Sequence, residues 1–116
     1  MRILLKRTYE VADKADGFRV LADRLWPRGI KKENLELDDW AKDIAPSTDL
    51  RKTYHSGELS YEEFSKKYEQ ELKNNPDFGT FFKTVLAHPV ITLLTSSKEI
   101  ELSALPTLKH YLEKQQ

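Results

Sequence analysis

Phe18–Leu25 reads "FRVLADRL", and the placement of its apolar side chains decides how the chain folds. In an extended strand successive side chains point to opposite faces. Phe18, Val20 and Ala22 then share one face, while Leu21 and Leu25 occupy the other. A strand that is apolar on both faces needs cover on both, the situation of a strand in a parallel sheet. Pro27 and Gly29 follow and break it.

The flanking segments supply further strands. Arg2–Tyr9, "RILLKRTY", is a short apolar run that turns polar, and it predicts a first strand. Ala12–Gly17, "ADKADG", predicts a loop with Asp16-Gly17 as its turn. Leu37–Ser47, "LDDWAKDIAPS", fits two periods. Leu37, Trp40, Ala41 and Ile44 have helical spacing, whereas Trp40, Lys42 and Ile44 alternate as in a strand. Pro46-Ser47, read as a loop feeding a helix, tips the segment towards a strand. Val90–Thr95, "VITLLT", carries no charge and has β-branched residues on both faces, which predicts a buried strand.

Helical signals fill the rest. Ser47 or Thr48 can cap a short helix over "DLRKTYH", with Asp49 at the positive end of its dipole. Ser60 and Glu63 form a capping box ahead of a stripe of Tyr61, Phe64, Tyr68 and Leu72. Asn75-Pro76 opens a helix with the stripe Phe78, Phe81, Phe82, Val85 and Leu86, which ends at His88-Pro89. In the last helix Ser103 is the expected cap and Pro106 falls in the first turn, where its missing N–H is no loss. "SSKEIE" reads as a loop. The expected fold is a single α/β domain over residues 1–116, with a three- to four-stranded, mostly parallel sheet flanked by helices.

Composition narrows the function. The 116 residues include 19 Lys+Arg and 19 Asp+Glu, so the formal charge is zero. Binding to nucleic acid in general draws on an excess of cations facing phosphates, and this balance argues against it. With no cysteine, a thiolate nucleophile, a disulfide framework and a Cys-based metal site are all excluded. The apolar run after Arg2 is too short for a signal peptide or a membrane span, and cytoplasm is the default expectation. His55, His88 and His110 lack paired spacing, so no metal site is expected. No dinucleotide fingerprint, phosphate loop or nucleophile elbow is present, and no cofactor is implied.

Open parallel sheets bind ligands beyond the carboxyl ends of their strands. After the first expected strand come Arg7 and Tyr9; after the second, Asp23, Arg24, Trp26 and Arg28. After the third come Ser47, Thr48 and a helix carrying Arg51; after the fourth, Thr95, Ser96, Ser97 and Lys98. Guanidinium forks suit phosphate or carboxylate oxygens, and helix-start N–H groups reinforce them. The expected site is therefore a basic pocket for a small anion, such as a nucleotide or sugar phosphate, and if the protein is an enzyme the expected class is nucleotide or phosphoester processing. It would be built from Arg7, Asp23, Arg24, Trp26, Arg28, Ser47, Arg51 and Lys98, with Asp23 orienting an arginine or acting as a base. Several of these residues have plain structural uses too: Asp23 paired with Arg24, Trp26 in packing, Ser47 as a cap. An alternative reading makes the "WPRG" edge a protein-interaction surface, since Trp and Arg are also interface anchors.

Taken together, "RVLADRLWPRGIKKENL", "WAKDIAPSTDLRK", "EEFSKKYEQEL" and "VITLLTSSKE" resemble the bacterial YeaO-like family, domain of unknown function 488. The resemblance runs from Lys6 to about Leu112. It rests on Asp23, Arg24, Trp26, Pro27, Arg28, Gly29, Pro46, Ser47, Arg51 and Tyr68. It implies a compact α/β domain and carries no established reaction. The chain departs from the family pattern after the fourth strand, in "TSSKEIELSAL". Glu99 stands there in place of an Asp, and Ser103 lies near an Asn position. If that segment supplies catalytic groups in the family, this chain has altered them.

Overall fold

In the computed structural model, which describes all 116 residues, β1 (Arg2–Arg7), β2 (Phe18–Leu21), β3 (Asp39–Trp40) and β4 (Val90–Thr95) form one sheet. The strand order is β1-β4-β2-β3, and each neighbouring pair is parallel. In register, Leu93 of β4 lies between Leu5 and Val20, and Leu94 lies between Lys6 and Leu21. The helices are α1 (Thr48–His55), α2 (Tyr61–Asn74), α3 (Phe78–Leu86) and α4 (Leu105–Gln115). None is long and apolar enough to cross a membrane.

The strand order explains how the two faces are covered. Going from β1 to β2 to β3 the chain steps across the sheet in one direction, and from β3 to β4 it steps back. Crossovers of one hand then put the first two connections on one face and the third on the other. The third connection carries α1, α2 and α3, and α4 joins them. Leu50, Phe64, Tyr68, Leu72, Phe81, Val85, Leu105, Leu108 and Leu112 from these helices form one core with Ile3, Val20, Ile91 and Leu93. Three of the strand residues, Val20, Ile91 and Leu93, are fully buried.

The opposite face presents Lys6, Arg19, Leu21, Thr92 and Leu94. Irregular chain covers it, with a single 3-10 turn at Lys14–Asp16 and another at Lys32–Asn34. Thr92 Oγ1 donates to Asp16 O at 2.7 Å, and Arg19 Nε donates to Glu36 O at 2.7 Å. The Asp16 carboxylate pairs with Arg19 and, at 3.1 Å, with Lys6. Burial pushes its pKa up, but the Asp13 backbone N–H and the Lys6 and Arg19 side chains outweigh that and hold it below its ordinary 3.8. Gly17 follows at φ 63°, and a Cβ there would stand 2.2 Å from Val90 O, so only glycine lets β2 start against β4.

Several expectations are adjusted. β2 ends at Leu21 rather than Leu25, and Leu25 is exposed instead of facing a covered side. Ala22 still donates to Leu94 O, but Asp23 and Arg24 are then drawn to different neighbouring loops and pull the chain off the ladder. The Leu37–Ser47 segment divides into the two-residue β3 and a 3-10 turn at Lys42–Ile44. The "SSKEIE" loop includes the start of a 3-10 turn at Ile100–Leu102. α3 begins at Phe78 with Asp77 as cap, two residues past the expected opening. Ala104 caps α4, while Ser103 Oγ accepts from Leu105 N at 3.2 Å from one position earlier. The caps at Ser47 and Ser60 with Glu63 are as expected. The Ser60 backbone and hydroxyl hold the Glu63 carboxyl below its ordinary range.

Candidate functional site

All four strand exits open onto one cleft of about 380 Å³. Asp23 and Arg24 from the β2 exit, Ala45 and Pro46 from the loop before α1, and Thr95, Ser96 and Ser97 from the β4 exit lie along it. Tyr9, Leu25, Trp26 and Arg28 also line it, as do Arg51, Tyr54 and His55 of α1 with Leu102 and Ser103. Arg51, Tyr54 and His55 are at helical spacings of three and four, which puts them on one face of α1.

Asp23 does not pair with Arg24. Its Oδ1 accepts from Thr95 Oγ1 at 2.8 Å, and its Oδ2 accepts from Ser96 N at 2.7 Å and Ser96 Oγ at 2.9 Å. The carboxylate thus clamps the β4 exit, and it does not orient an arginine as expected. Arg24 turns instead to backbone oxygens, donating from Nε to Pro46 O at 3.0 Å and from Nη2 to Ala45 O at 2.9 Å. Two of its five N–H groups are used and three remain.

The same loop is held from α2. Tyr68 donates to Ile44 O at 2.7 Å, and Glu71 accepts from Ser47 N at 2.8 Å and Ser47 Oγ at 2.5 Å. Burial, and then the Glu71 charge, raise the Tyr68 pKa, so the hydroxyl remains a donor. Every residue of "IAPS" is therefore fixed by a side chain from elsewhere, which gives that sequence a structural reason. The sequence places Tyr68 in a core stripe and Glu71 on a solvated helix face, whereas the structure turns Glu71 inward onto Ser47. Their spacing of three on α2 was the signal that they act together.

Of the eight expected site residues, Asp23, Arg24, Trp26, Arg28 and Arg51 line the cleft; Arg7, Ser47 and Lys98 do not. Arg7 belongs to β1 itself; its Nε donates to Ser97 O at 2.8 Å and its guanidinium lies 5.1 Å from the Tyr9 ring centroid. Ser47 is spent on its cap and on Glu71. Lys98 is exposed outside the cleft. Trp26 donates to Ile30 O at 2.6 Å and meets Trp40 edge-on with centroids 5.3 Å apart, so its ring serves mainly to brace the loop. Trp40 in turn donates to Asp23 O at 2.7 Å. Tyr54, His55, Leu102 and Ser103 were not anticipated as cleft residues. Tyr54 donates to Leu102 O at 2.9 Å, and burial, followed by Tyr61 and Glu99, raises its pKa.

The chain's ion pairs are Lys6–Asp16, Arg19–Asp16, Lys66–Glu62 and Lys114–Glu69. Arg24, Arg28 and Arg51 take part in none. The cleft therefore holds three guanidinium groups outside ion pairs, Arg24 partly used by the Ala45 and Pro46 carbonyls, and its only carboxylate, Asp23, is committed to Thr95 and Ser96. Such an arrangement suits oxyanions. Nucleophilic chemistry would need a hydroxyl beside a base oriented by a third group. The Ser47 and Ser96 hydroxyls instead donate to carboxylates that also hold backbone N–H groups, and no histidine is hydrogen-bonded to a serine.

The chain matches the family model described as "Inactive DUF488-N3 subclade" over residues 2–116. It is 45% identical over 98 residues to the uncharacterised protein YeaO of Escherichia coli (strain K12), covering 84% of this chain and 85% of that protein. It is 35% identical over 111 residues to the uncharacterised protein Rv3073c of Mycobacterium tuberculosis (strain ATCC 25618 / H37Rv), covering 96% of this chain and 93% of that one. No solved structure matches it. With near full-length agreement of both kinds, the chain belongs to the YeaO-like DUF488 family, in the subclade described as inactive.

Proposed function

We propose that this domain is a non-catalytic receptor for a small anionic ligand, of the nucleotide or sugar-phosphate class, held in the cleft at the carboxyl ends of the strands. One observation carries the reading: Arg24, Arg28 and Arg51 share a cleft, in a chain of zero net charge, without an internal carboxylate partner. Cations that are not needed for internal ion pairs are free to meet an external anion. Ser97 adds a hydroxyl to the lining, whereas the N–H and hydroxyl of Ser96 are taken by Asp23. A cleft of about 380 Å³ falls within the size range of small-molecule sites.

Binding without turnover is favoured over catalysis on two grounds. The subclade is described as inactive. Of the cleft's serines, Ser96 donates to the Asp23 carboxylate and Ser103 to Ile100 O, and none is hydrogen-bonded to a histidine. A titration followed by amide chemical shifts, using adenosine monophosphate, a ribose phosphate and inorganic phosphate, tests the reading. Shifts should gather at Arg24, Arg28, Arg51, Ser96 and Ser97, and the ligands should be recovered unchanged. An absence of shifts at these residues at millimolar ligand would remove the proposal, and hydrolysed ligand would remove its non-catalytic half.

A further inference from the structure

Leu25 is 59% exposed, Leu102 48% and Tyr9 47%; together with Val11 and Leu86 they are the large hydrophobic side chains that the chain leaves in solvent. A lone exposed leucine means little, because every folded surface carries some. Here three of the five line one cleft, from three different segments: the β1 exit, the β2 exit and the 3-10 turn Ile100–Leu102. Hydrogen bonds fix the backbone around them. Tyr9 donates to Arg28 O at 3.0 Å, and Tyr54 donates to Leu102 O at 2.9 Å. The apolar groups are thus displayed on a held frame in a cleft that carries guanidinium groups outside ion pairs.

A phosphate seated among Arg24, Arg28 and Arg51 offers nothing apolar to Leu25 and Leu102. Apolar side chains grouped in this way mark a contact surface. We infer that the cleft also takes an acidic segment of a partner protein, with a carboxylate among the three arginines and neighbouring apolar side chains on Leu25, Leu102 and Tyr9. Charge complementarity selects this occupant: a basic segment would meet unpaired guanidinium groups, and a purely apolar one would leave them buried without a partner, which is costly. The inference rests on the proposed recognition of anions by the same cleft.

The test is fluorescence anisotropy on the full chain with labelled short peptides. One set carries Asp or Glu beside Leu or Phe; matched sets replace the acids with Asn or Gln, or with Lys. The acidic set should bind, the amide set should bind about tenfold more weakly, and the lysine set not at all. Leu25→Ser and Leu102→Ser, both at exposed positions and checked for folding by circular dichroism, should weaken the acidic peptide by a larger factor than they weaken adenosine monophosphate. Equal binding of acidic and amide peptides overturns the inference. So does tighter binding of a single-stranded oligonucleotide than of any peptide, and so does a concentration-dependent dimer abolished by Leu25→Ser, which would make a second copy the occupant. If adenosine monophosphate binds and no peptide does, this inference alone fails; if neither binds, the anion reading fails with it.

Discussion

The two faces of the sheet solve the same covering problem by different physics. On one face, four helices lay apolar stripes over Ile3, Val20, Ile91 and Leu93. On the other, irregular segments cover Leu21 and Leu94, and a carboxylate shared by Arg19 and Lys6 ties them down. Helices cover area with side chains because their backbone is satisfied internally. Irregular chain must satisfy its backbone piecemeal, so its cover depends on named polar contacts such as Thr92 to Asp16 O and Arg19 to Glu36 O. The difference teaches that one face is stabilised by area and the other by a few specific groups. The cleft opens where chain leaving both faces meets.

Leu93 and Leu94 probe this directly, being consecutive, fully buried and on opposite faces. Leu93→Ala leaves a hole under rigid helices and should cost about 4 kcal/mol by urea denaturation. Asp16→Asn strips Arg19 and Lys6 of their shared charge and should cost about 3 kcal/mol, the penalty of breaking a buried pair. Leu94→Ala should cost less, about 2 kcal/mol, because irregular cover can settle into the space. A larger loss at Leu94 than at Leu93 would break the distinction.

Acid sharpens it further. The folded Asp16 pKa lies below its ordinary 3.8, so its contribution is full above that value and is lost as the pH falls through the lower, folded one. The wild type should therefore lose stability below about pH 4 more steeply than Asp16→Asn does, measured by denaturation at fixed urea steps. An equal slope would mean the ion cluster is not what holds that face. The smallest expected effect is at the cleft. Arg28→Ala, at an exposed position, should leave the melting temperature unchanged and weaken adenosine monophosphate by about fivefold at low salt, less at high salt.

The strands and helices were legible wherever one local pattern dominated. Val90–Thr95 is uncharged along its whole length, and Ser60–Glu63 is a complete capping signal ahead of a regular stripe. Leu25 misled because alternation continues through it, while the end of β2 is set by where Asp23 and Arg24 find partners far along the chain. At the cleft, residue types at strand exits were readable, but not their commitments. Nothing local says that Arg24 binds carbonyls rather than Asp23, or that Glu71 holds Ser47.

The amino-acid sequence by itself determined the α/β architecture, the neutral charge, the absence of thiol chemistry and the collection of cationic and hydroxyl groups after the strands. These follow from period, composition and local caps, which act over a few residues. Only the tertiary structure decided which of those groups are free. Arg7, Ser47 and Asp23 are occupied, while Arg28 and Arg51 form no ion pair, because partner choice depends on distances between segments that the strand order alone brings together.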